Sequence, residues 1–61
     1  MNKITSLEFI IENLSDRKQS LQNYRLNHEI DEEIYWRNIN FLNERINHYS
    51  QELERIIDVS Y

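Results

Sequence analysis

The sequence predicts an all-α protein, an antiparallel two-helix hairpin that pairs with a second copy of itself into a four-helix bundle. Three observations carry this. Glycine and proline are both absent, so the punctuation that strands and tight β-turns need is missing. Two long segments carry apolar residues at alternating spacings of four and three, the signature of helices packed along a seam. One short polar segment between them breaks the pattern.

The first helix is expected over about residues 5–26, after a lead-in from Met1 to Ile4. Thr5-Ser6-Leu7-Glu8 has the Thr-x-x-Glu form of a capping box, in which hydroxyl and carboxylate each satisfy a free backbone N–H. Leu7, Ile11, Leu14, Lys18, Leu21 and Arg25 then form the stripe, with Ile10, Arg17 and Tyr24 beside it. Arg17 and Lys18 interrupt its centre, where their methylenes can lie along the seam and their charges at its edge.

The connection is expected at Asn27-His28-Glu29-Ile30, with Asn27 as the left-handed terminator in a chain without glycine. Asp31 reads as the next N-cap, and Glu32 and Glu33 place negative charge at the positive end of the helix dipole. Ile30 is positioned to staple against Tyr35.

The second helix is expected over about residues 31–58, with Tyr35, Ile39, Leu42, Ile46, Tyr49, Leu53 and Ile56 on its seam. At 1.5 Å per residue it is ~40 Å long against ~33 Å for the first, so part of it overhangs a simple hairpin. Between Ile34 and Leu42 six of nine residues are apolar, more than one partner helix covers. This surplus is the reason to expect a homodimer. A chain of 61 residues also has too small a core to be stable without help, and it has no cysteine for disulfides or thiolate metal sites. Residues 1–61 are read as a single domain.

Composition narrows the function. With 39% hydrophobic residues and seven aromatics, made up of one Trp, four Tyr and two Phe, the chain is too apolar for a disordered tail. Its net charge is −4, and its basic residues form no cluster longer than Arg17-Lys18, so nucleic acid is not expected as a partner. No apolar run approaches the ~20 residues that span a bilayer, and the N-terminus lacks the order of a secretory signal. The cytoplasm is the expected location, the host cytoplasm if the chain is phage-encoded. Frequent Asn and Ile hint at an AT-rich bacterial or viral genome.

Side chains suited to chemistry are sparse, and no catalytic set or cofactor is expected. Glu44, His48 and Glu52 share a helix face at ligand spacing, and Glu8, Glu12 and Asp16 form an acidic stripe. Both are read as solvated faces. Ile34, Trp36 and Phe41, with Arg37 beside them, form the candidate protein-binding patch, because large aromatics and arginine dominate interface hot spots. The favoured expectation buries this patch in the homodimer, and the alternative leaves it to dock a foreign protein. Tyr24, Tyr35 and Tyr49 fall at core-edge positions with their hydroxyls toward water.

Ser50-Gln51-Glu52-Leu53-Glu54, followed by Arg55-Ile56-Ile57, resembles the Ser-Gln-Glu-Leu-Asp signature of the small sporulation-type aspartyl-phosphate phosphatases, with Glu54 where that family has Asp. The resemblance implies a helical hairpin that acts on a phosphorylated response regulator. Ser50, Gln51, Glu52 and Glu54 would then touch the acyl-phosphate site, and Gln51 or Glu52 would position the attacking water. The residues themselves favour a non-enzymatic interaction module, a small bacterial or phage regulator or inhibitor. A purely structural self-assembly unit is the third reading.

Overall fold

A computed structural model describes residues 2–60, Ser60 by its backbone alone; Met1 and Tyr61 lie outside the described residues. Two helices, α1 (Lys3–Leu26) and α2 (Glu32–Ser60), pack antiparallel as a hairpin. They are 24 and 29 residues long, so α2 is the longer, as the spacing of its apolar residues predicts.

Each helix boundary has a local cause. Asn2 caps α1: its Oδ1 accepts from the Thr5 N–H at 2.8 Å, and its carbonyl accepts from Ser6 at 3.1 Å. The expected capping box at Thr5 is therefore not the start of the helix. Asn ranks with the best N-caps, and its use draws Thr5 into the first turn.

α1 ends in a Schellman motif. The Glu29 N–H donates to the Tyr24 carbonyl at 2.8 Å and the His28 N–H to that of Arg25 at 3.0 Å, the two bonds that define this cap. The left-handed residue is His28, at φ 57°, and not Asn27, which has φ −88° and ψ 4°. At the start of α2, Asp31 acts as expected. Its Oδ1 accepts from the Glu33 N–H and its carbonyl from that of Tyr35, at 2.8 and 2.9 Å. Ile30 and Tyr35 both line the depression at the turn.

The seam is the one that the four-three spacing predicts. Leu7, Tyr35, Ile39 and Leu42 form the core at 4–6% exposure. The remaining seam positions, Ile11, Leu14, Lys18, Leu21 and Arg25 on α1 and Ile46, Tyr49, Leu53 and Ile56 on α2, are half-buried. Arg25 closes the turn end of the seam. Its guanidinium carbon lies 4.9 Å from the Tyr35 ring centroid and 5.0 Å from that of Trp36, and its Nη2 is 3.1 Å from Glu32 Oε1. At the other end Lys3 Nζ reaches Glu52 Oε1 across the helices at 3.4 Å. These two crossings fix the register. Past Glu52, α2 runs on beyond the start of α1, which leaves Val59 largely open to solvent and Ile57 partly so.

Candidate protein-binding face

A helix paired along one seam keeps two flanks. In heptad terms, the positions before the seam residues of the two antiparallel helices share one side of the hairpin, and the positions after them share the other. Lys3 and Glu52 are both of the first kind, and they pair.

This geometry divides the patch expected at Ile34, Trp36 and Phe41. Ile34 and Phe41, two turns apart, lie on the Lys3–Glu52 side, whereas Ile34 and Trp36 are two residues apart and do not face one another. Trp36 lies on the opposite flank, where its ring meets Tyr35 edge-on at 5.1 Å and Arg25 packs on it. Arg37 points away from both flanks and bonds its own helix, Nη2 to Glu33 Oε1 at 3.5 Å.

The side that holds Ile34 and Phe41 gains residues from α1 that the apolar surplus of α2 alone does not reveal. By heptad position Tyr24, Arg17 and Ile10 of α1 share this side with Ile34 and Phe41 of α2. Tyr24 and Ile34 are each 49% exposed and Phe41 56%, and Ile10, further along the same side, is half-buried. Arg45 lies over this strip, its guanidinium carbon 5.6 Å from the Phe41 ring centroid and 5.8 Å from that of Tyr49. Cations held on aromatic faces are common at interfaces because guanidinium sheds water more readily than ammonium. A sequence signal for Tyr24 was present, its place beside the α1 stripe, but its union with Ile34 needs the register.

The motif residues 50–54 wind around α2. Glu52 is half-buried on the Lys3 side and Ser50 half-buried on the other, while Gln51 and Glu54 are exposed. Gln51 and Glu52 line a shallow depression with His48 and Arg55. Glu44, His48 and Glu52 do not assemble as ligands: among the described residues no group of three or more His, Cys, Asp or Glu can hold a metal ion. His48 instead meets Tyr49 edge-on at 5.2 Å. No polar or charged side chain is buried among the described residues, and no helix is long and apolar enough to cross a membrane.

Comparison with protein families, with curated proteins and with solved structures gives no match to this chain.

Proposed function

We propose that this hairpin is a non-enzymatic protein-interaction module, a small cytoplasmic regulator or inhibitor of bacterial or phage origin that works by occupying a surface on another protein. The observation that carries this reading is the strip of Tyr24, Ile34 and Phe41, built from both helices and left half-exposed by the hairpin itself. Tyrosine and arginine in such a strip are the residue types that dominate interface hot spots. Affinity capture with the chain and with an Ile34→Glu, Phe41→Glu variant of unchanged helicity tests it. A stoichiometric partner retained by the first and lost by the second is the expected result. Identical capture by both removes the strip from the interface, and recovery of the chain alone favours a structural self-assembly unit.

The depression lined by His48, Gln51, Glu52 and Arg55 favours a second reading, in which the resemblance of residues 50–54 reflects action on a receiver-domain acyl phosphate. It brings the two residues expected to position water beside a guanidinium suited to phosphate. Incubation with a phosphorylated receiver domain decides it: accelerated loss of phosphate that Gln51→Ala abolishes supports this reading, and an unchanged rate rejects it.

A further inference from the structure

The charges of the molecule are sorted by side. Four of the seven basic residues, Lys3, Arg17, Arg45 and Arg55, fall on the flank that carries Tyr24, Ile34 and Phe41, together with two of the eleven acidic residues, Asp31 at the turn and Glu52, which pairs with Lys3. Three cations and nine carboxylates are left for the rest of the chain. An acidic protein thus presents one basic, aromatic face.

We infer that this face receives a single acidic amphipathic helix from another protein, laid lengthwise between α1 and α2 as the third helix of a bundle. The inference rests on the interaction-module reading and names the partner's chemistry. Its spacing argument is that Ile34, Phe41 and His48 recur every seven residues, about 10.5 Å along the axis, which is the heptad step of an incoming helix.

Charge decides between a foreign helix and a second copy. A symmetric dimer sets the same patch against itself, which would bring two copies of Arg17 and Arg45 into one interface where each face offers only Asp31, at the turn end, and Glu52, already paired with Lys3. Burying guanidinium groups without acidic partners is unfavourable. A helix with an apolar stripe and carboxylate edges covers the strip and pairs the arginines at once.

The test uses the full chain and two synthetic helices of about four heptads with leucine at the seam positions, one edged with glutamate and one with lysine. Binding is read by titration calorimetry. The glutamate helix is expected to bind, to weaken as salt rises, and to lose about tenfold or more in affinity to an Arg17→Glu, Arg45→Glu variant, which in turn gains affinity for the lysine helix. An Arg17→Gln, Arg45→Gln variant guards against misfolding and should fall between. Equal binding of both helices to the unaltered chain overturns the acidic partner while leaving the face as an interface. Binding that ignores Ile34→Glu and Phe41→Glu, or no binding of the glutamate helix, overturns the inference at the face itself. A stable dimer that Phe41→Glu dissociates assigns the face to a second copy and also overturns it.

Discussion

A chain without glycine must turn between two helices by placing a residue with a Cβ in the left-handed region, and His28 takes that position at φ 57°. The geometry costs a non-glycine residue about 1 kcal/mol. His28→Gly is therefore expected to raise stability by about that amount in urea unfolding. Asn27→Gly is expected to lower it, since Asn27 sits at φ −88°, where glycine brings only entropy loss. For the left-handed position the sequence pointed to Asn27, the neighbour of His28. Which residue fills it depends on which α1 carbonyls the chain satisfies as it leaves the helix, and the Glu29 to Tyr24 bond is a local backbone arrangement that residue type does not reveal. The N-terminal cap is a parallel case. Asn2→Ala should cost about 1 kcal/mol and Thr5→Ala clearly less, because the side-chain bond to the helix comes from Asn2. Equal losses would return the cap to Thr5.

Helix positions were legible wherever periodicity alone decides them. Every seam residue read from the four-three spacing is buried or half-buried, because two antiparallel helices in contact have little choice but to bury the stripes they share. The flanks were less legible. Six apolar residues among the nine from Ile34 to Leu42 gave the composition of a helix covered all round, yet α1 covers only Tyr35, Ile39 and Leu42. Ile34 and Phe41 are left on one flank and Trp36 on the other. This division gives the stability of neighbouring residues opposite expectations. Leu42→Ala, at 6% exposure, should cost about 2–5 kcal/mol by opening a cavity. That is comparable to the whole stability of a core this small, ~3–5 kcal/mol, so the cooperative thermal transition is expected to disappear. Phe41→Ala, one residue away and open to solvent, should shift stability by no more than ~0.5 kcal/mol. Similar losses at both positions would mean that Phe41 is covered in the free protein.

At the scale of the whole molecule, extents of 46 × 18 × 13 Å describe two helices lying side by side with no third layer, and this thinness is what makes an additional helix structurally meaningful. The sequence raised the expectation of one through its small core and its apolar surplus. It did not convey the sorting of charge, because Lys3, Arg17, Arg45 and Arg55 are scattered along the chain and meet on one side only after the register is set by Arg25 on Tyr35 and by Lys3 with Glu52. Homodimerisation, the expectation drawn from the apolar surplus, and the reception of an acidic helix compete for this same face. The arginines are what separate them, and they are separable by substitution. Leucine at both Arg17 and Arg45 keeps the helices and the aromatic strip but removes the like charges that oppose a second copy, and buried ionic groups replaced by apolar ones commonly strengthen a bundle. Sedimentation of the Arg17→Leu, Arg45→Leu variant at micromolar concentration is expected to show a dimer, with a melting temperature that rises with protein concentration as linked association requires. The unaltered chain should sediment as a monomer at moderate salt and begin to associate as salt screens the arginines, since the Debye length falls from about 10 Å at 0.1 M to about 3 Å at 1 M. A variant that stays monomeric would mean that the strip lacks the complementarity to pair with itself, and a dimer of the unaltered chain at low salt would mean that the arginines do not keep two copies apart.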